Sequence, residues 1–216
     1  MKILIFVLCL FCTAFISCSV TESENQPLYS PDHKTPVTGG IVITSKYDPT
    51  PLGAWGNPSN PNEWKLSGFA SGPSYKGGAY GFWLENPFPD PAKDSTRIFF
   101  QVPKVSNVRV YIVPARLMGS PDNSTSLIVG GVFLSPQGIA IKVLENKLLQ
   151  PGHHWRDWDL TDNNNSPVPA GFYRVYMEAG SDLLWRDILV YRDKKDLPAD
   201  LRTLLMKIYN ITEFNL

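Results

Sequence analysis

Residues 107–115 read NVRVYIVPA, and two later stretches, GFYRVYMEA at 171–179 and LLWRDILVY at 183–191, share their character. Val108, Val110 and Ile112 fall on one side while Arg109 and Tyr111 fall on the other, the period of two expected of a strand with a buried face. Working outward, TRIFFQV at 96–102, SLIVGGVFL at 126–134, GIAIKVLE at 138–145 and GIVITS at 40–45 are further strand candidates, separated by proline, glycine and asparagine. Repeated strands with no helical pattern between them predict an all-β, antiparallel sandwich and not a parallel sheet. The stretch 46–81 carries Pro49, Pro51, Pro58, Pro61 and Pro73 and reads as irregular. One helix is predicted, in DLPADLRTLLMKIYNIT at 196–212. Asp196 is its expected N-cap and Pro198 lies in its first turn, with Leu201, Leu204, Leu205, Ile208 and Tyr209 on one face.

The chain has 216 residues, with 20 basic and 20 acidic side chains. Zero formal charge removes the electrostatic footprint of a nucleic-acid binder. The three cysteines, Cys9, Cys12 and Cys18, all lie in the first eighteen residues. Downstream of Cys18, then, there is no thiol for a disulfide framework, a thiolate zinc site or a cysteine nucleophile.

MKILIFVLCLFCTAFISC at 1–18 has one early charge, Lys2, and then an apolar run to Ile16. That run is shorter than the ~20 residues of a spanning helix and has the layout of a secretory signal. Its end, Phe15-Ile16-Ser17-Cys18, resembles a bacterial lipobox, which implies cleavage before Cys18 and lipidation of its thiol. Two or three acyl chains, at about 0.8 kcal/mol per buried methylene, make a stable anchor. Residues 19–40 are polar, contain Pro27, Pro31 and Pro36, and read as a tether. Ser19 after the cysteine resembles the pattern for export to the outer membrane.

Two motifs carry a family resemblance. The first runs Asn86-Pro87-Phe88-Pro89-Asp90-Pro91, then Asp94-Ser95-Thr96-Arg97, then the strand at 107. The second runs Leu149-Gln150-Pro151-Gly152, then Trp158-Asp159, an Asp/Asn-rich turn from Thr161, and Val168-Pro169-Ala170-Gly171-Phe172-Tyr173. In order and spacing they resemble the FlgD-type immunoglobulin-like domain and the related type A C-terminal sorting domains of type IX secretion cargo. With the lipobox, the whole is similar to a Bacteroidetes-like lipoprotein. The resemblance covers about 85–192 and implies an immunoglobulin-like β-sandwich with no catalytic residue. It departs from the family in the 24 residues after Arg192 and in the extra stretch at 126–134. The expected organisation is a signal peptide (1–17), a lipidated N-terminus and tether (18–40), a first strand with an aromatic and proline-rich segment (41–84), the immunoglobulin-like domain (85–192) and a helical tail (193–216).

Chemistry is sparse. Asp157, Asp159 and Asp162 with Asn163 to Asn165 lack the spacing of a calcium loop and read as a turn, with Asp159 and Asp162 accepting backbone N–H groups. Tyr173, two residues past Gly171, is placed to fix that turn through its hydroxyl. His153 and His154 are adjacent and point to opposite sides of a strand, a poor metal pair. No metal or cofactor is expected. Trp55, Trp64 and Trp83 crowd the proline-rich stretch and are candidate contacts to a ligand or partner; packing against the sandwich is the alternative. The leading expectation is a non-enzymatic lipoprotein of the outer membrane or cell surface, on either leaflet, acting as a structural or protein-interaction module of the cell envelope. A glycan-binding protein using the tryptophans is the second expectation, and a hydrolase with two carboxylates the third.

Overall fold

The computed structural model describes residues 39–57, 81–118, 133–180 and 182–208. Ten strands and one helix follow in order: β1 (Gly39–Thr44), β2 (Pro51–Asn57), β3 (Trp83–Leu84), β4 (Thr96–Val102), β5 (Ser106–Met118), β6 (Phe133–Pro136), β7 (Lys142–Leu149), β8 (Gly152–Trp158), β9 (Gly171–Ala179), β10 (Asp182–Val190) and α1 (Ala199–Ile208). The strand ladders are antiparallel. They form a five-stranded sheet, β10-β9-β5 with β7 and β6 along the far edge of β5, a three-stranded sheet β3-β4-β8, and the hairpin β1-β2. The protein is an all-β, sandwich-like fold with one short C-terminal helix.

The alternation seen in the sequence sets the two sheets face to face. Val108, Val110 and Ile112 of β5, Val175 and Met177 of β9, and Ile188 and Val190 of β10 meet Ile98 and Phe100 of β4 and Trp158 of β8 in one core. The opposite side of the large sheet is also covered. Ile41, Ile43 and Trp55 of the hairpin pack with Leu189, Leu197, Leu201 and Leu205, so hairpin and helix form a third layer. On that same side Tyr111 and Val113 pack with Tyr176 and Trp185. Burial on both faces explains why β9 and β10 read as almost continuous apolar runs.

Several expectations need correction. The stretch at 46–81 is not wholly irregular, because β2 lies in it: Pro51 opens the strand, where a missing N–H is tolerated, opposite a register shift at Ile43/Thr44. GIAIKVLE begins its ladder four residues late, at Lys142, after Gly138 takes a positive φ of 73°. In SLIVGGVFL the described strand starts only at Phe133, the rest lying outside the described residues. GHHWRDW forms β8, which the strand candidates omit although His153 and His154 are placed on opposite sides of a strand. Asp196 does not cap the long helix. It closes a 3₁₀ turn, Lys194–Asp196, whose N-cap is Asp193, and its carboxylate accepts from the N–H groups of Arg192 and Asp193.

Two buried acids tie strands and segments together. Arg174 and Asp187 face each other across β9 and β10 and pair in two bonds of 2.7 and 3.2 Å, with Arg174 also donating to the Leu134 carbonyl at 3.3 Å. Asp90 joins three segments. Its carbonyl accepts from Thr44 N–H, its own N–H donates to the Thr44 hydroxyl, and its carboxyl accepts from Leu189 N–H, each at 3.0 Å.

Removing one member of the buried pair leaves an uncompensated charge. Arg174→Met is expected to cost about 3–5 kcal/mol in urea unfolding, and adding Asp187→Leu to restore more than half of that; additive losses would refute the pairing account. Burial pushes the Asp90 carboxyl well above its ordinary value of 3.8, the Leu189 N–H opposing the shift and the Asp187 charge adding to it. The folded state therefore holds this proton more tightly than the unfolded chain. Its contribution to stability is full below pH 3.8 and declines as pH rises toward the folded-state value. Asp90→Asn should thus gain stability relative to the parent as pH increases above that point; a difference constant with pH would contradict it.

Candidate functional site

Of the tryptophans proposed from sequence, Trp55 is only 6% exposed. Its ring stacks on Phe172 at 5.8 Å and its indole N–H donates to Asp200 of α1 at 2.8 Å. It seals the third layer and offers no free face to a ligand. Trp64 and Cys18 lie outside the described residues, as do the signal and the tether up to residue 38. Trp83 stands on β3, opposite Gln101 of β4, and is half-buried.

The turn after β8 is built around an ammonium group. Lys142 Nζ donates to the Thr161 hydroxyl and the Asp162 carbonyl, each at 2.9 Å, and lies 3.9 Å from Asp159. Asp159 accepts from the Thr161 N–H and hydroxyl, and Asp162 accepts from Asn164 and Ser166 N–H groups. The Thr161 hydroxyl holds the Asp159 carboxyl below its ordinary range. A lysine thus fills the position that a calcium reading would give to a cation. Asn165 takes a φ of 60°, which asparagine tolerates in such a turn. Tyr173 donates to the Pro169 carbonyl at 2.7 Å and meets Trp158 edge-on at 5.3 Å. Gly171, at a φ of 156°, opens β9 between them. These residues hold structure together.

A different surface gathers exposed aromatic rings. On β4 and β8 the residues alternate in and out, so that Gln101 pairs with His153, Phe99 with Trp155 and Arg97 with Asp157 on the outer side. β3 adds Trp83 to the first of these rows, and Glu85, whose N–H donates to the Phe99 carbonyl at 2.9 Å, to the second. Trp155 is 52% exposed. His153 lies over Phe99 at 5.6 Å with 30° between the rings. Burial pushes the Glu85 carboxyl up, with the Trp83 indole, Arg186 and His153 opposing the shift. Arg97 grips Asp157 through two bonds of 2.7 and 3.0 Å, and that guanidinium holds the Asp157 carboxyl below its ordinary range. The result is a face of rings interleaved with amide, imidazole and carboxyl groups.

Sequence reasoning missed Trp155 because it missed β8. The signal was present in His153-His154-Trp155-Arg156-Asp157-Trp158, where only alternate residues face the core. His154 accordingly turns away from His153, stacking on Phe100 at 5.5 Å and reaching the Gln150 carbonyl at 2.9 Å. Among the described residues no three His, Cys, Asp or Glu side chains come together as a metal-binding group. Among them, too, no helix is long and apolar enough to cross a membrane.

No family model matches the sequence, and no curated protein matches it. Among solved structures, dimeric latent PorU from Porphyromonas gingivalis is similar over 52% of this chain, at 14% identity and a TM-score of 0.31. The match spans 9% of the PorU chain, and a likeness this weak bears on neither fold nor function.

Tyr173→Phe removes one hydroxyl donor and leaves the Pro169 carbonyl to water. A loss of about 1 kcal/mol in denaturant unfolding is expected, and no measurable loss would show that the hydroxyl does not fix the turn.

Proposed function

We propose that this chain is a non-enzymatic lipoprotein of the cell envelope, anchored through Cys18, whose immunoglobulin-like sandwich binds an envelope component through the outer face of β3-β4-β8. The single observation that carries the reading is the solvent-facing set of Trp83, Phe99, His153 and Trp155 on that face. Trp155 is 52% exposed and His153 is exposed, with Trp83 and Phe99 partly buried beside them; large rings left open to solvent on a sheet are costly to solubility and mark contact surfaces. The lipobox and the proline-bearing tether support the anchor, which would hold such a face within reach of a neighbour at the outer membrane. The paired motifs from Asn86 to Tyr111 and from Leu149 to Tyr173 support a FlgD-type domain. A binding role without catalysis agrees with the acids: Asp187 is tied to Arg174, Asp157 to Arg97, and Asp90 is wholly buried. Beside Asp187 and Arg186 the cavity has room for only about one water molecule.

Two measurements test the reading. Full-length protein should incorporate labelled palmitate and sediment with the outer membrane, whereas Cys18→Ala should do neither; labelling of that variant would remove the anchor. The mature chain should also be retained on isolated envelope, and Trp155→Ala should reduce that retention roughly tenfold. Equal retention of both would remove the face from the binding reading.

A further inference from the structure

We infer that the outer face of β3-β4-β8 is a binding site for a neutral oligosaccharide, formed by Trp83, Phe99, His153 and Trp155 with Glu85 and Gln101 as its polar partners. The inference rests on the proposal that this face is the protein's contact surface, and it assigns the chemistry of what is bound.

The first argument is shape. Trp83 and Trp155 stand two strands and two residues apart, about 12 Å between Cα atoms at ordinary sheet spacing. Phe99 lies between them, directly opposite Trp155 and under His153. The rings thus form a bent row across the sheet, Phe99 and Trp155 side by side and Trp83 two residues along on the far strand. Hexose rings offer flat faces of C–H groups, whose partial positive charge suits the electron-rich face of an aromatic ring. An extended chain of such rings can lie along the row. Gln101 and His153 stand beside it with donors and acceptors for hydroxyl groups.

Charge is the second argument. Asp157 is matched by Arg97 in a bidentate pair, and the Glu85 carboxyl, half-buried beside Trp83, is pushed up by burial against the pull of the Arg186 charge. The exposed charges of β4 and β8 on this face thus cancel. The face complements a ligand without net charge and offers nothing to a phosphate, an acidic peptide or an anionic headgroup.

The third argument is size. β4 and β8 are seven residues long and β3 only two, so the three-stranded face covers roughly 260 Å² of sheet. A stable protein interface buries about 800 Å² on each partner. The described face is small beside such an interface and is of the order that a short oligosaccharide covers.

The experiment uses the full mature chain in detergent, with neutral gluco-, manno-, galacto- and xylo-oligosaccharides and their uronic-acid counterparts as probes, read by tryptophan fluorescence and calorimetry. At least one neutral probe should bind, with an affinity that changes less than twofold as salt is raised, because no ion pair contributes. Trp155→Ala and Trp83→Ala should each weaken it roughly tenfold or more. Met206→Ala, an exposed apolar position on α1, should leave it unchanged. Circular dichroism confirms that each variant is folded. Failure of every neutral probe, preference for the uronates, or equal binding by the tryptophan variants would overturn the inference. If no neutral probe binds, yet Trp155→Ala abolishes retention on isolated envelope and protease treatment of that envelope does the same, the occupant is a protein. That outcome overturns the saccharide while leaving the contact surface in place.

Discussion

β5 is paired along both edges and packed on both faces, and the rest of the molecule is arranged around it. One edge takes β9 from Val108 to Ala115; the other takes β7 from Ser106 to Ile112 and then β6 from Ala115 to Met118. A strand of thirteen residues is needed to serve three partners. A register shift between Val110 and Tyr111 opposite β7 bends the ladder without changing which side chains face the three-stranded sheet. Val108, Val110 and Ile112 therefore stay in one core while Tyr111 and Val113 enter another. A slip of one residue would send the apolar set and the Arg109–Glu178 pair to each other's side, so the pairing is strongly specified.

Burying both faces of the large sheet forces polar groups inward wherever a strand cannot be wholly apolar. Arg174 and Asp187 solve this by pairing directly across β9 and β10. Asp90 solves it differently. It spends one carboxyl oxygen on Leu189 N–H and its backbone on Thr44, which sews the end of β1 to the edge of β10. Ala92 continues the seam, donating to the Leu189 carbonyl and accepting from Tyr191 N–H at 2.8 and 2.9 Å. That edge of β10 is thereby closed to other chains, a protection exposed strands require.

Much of this was legible in the sequence, for a physical reason. Half-buried strands such as β4 and the first half of β5 alternate cleanly, and TRIFFQV matches its strand residue for residue. The Asp/Asn turn and Tyr173 were legible because their hydrogen bonds are local. Long-range facts were not. Nothing near Trp55 announces Asp200, which lies 145 residues away, and nothing near Lys142 announces the Thr161 hydroxyl that shares it. β8 escaped because histidine, arginine and aspartate have little strand propensity, and its single fully buried residue, Trp158, lies at its end. The aromatic face could not be listed from sequence without that strand, since it exists only once β4 has placed Phe99 beside Trp155.

The third layer explains why the contact surface falls where it does. In a plain two-sheet sandwich both outer faces meet solvent, and either could serve. Here the outer side of the large sheet carries the hairpin and the helix, with Leu189, Leu201 and Leu205 sealed among Ile41, Ile43 and Trp55. Among the described residues no such layer lies on the outer side of the small sheet, where exposure is a matter of register: Phe99, His153 and Trp155 sit at the positions that alternate with the core residues Ile98, Phe100 and Trp158. Their placement on a sheet face without a covering layer among the described residues, beside the matched Arg97–Asp157 pair, is the feature from which a function is best argued.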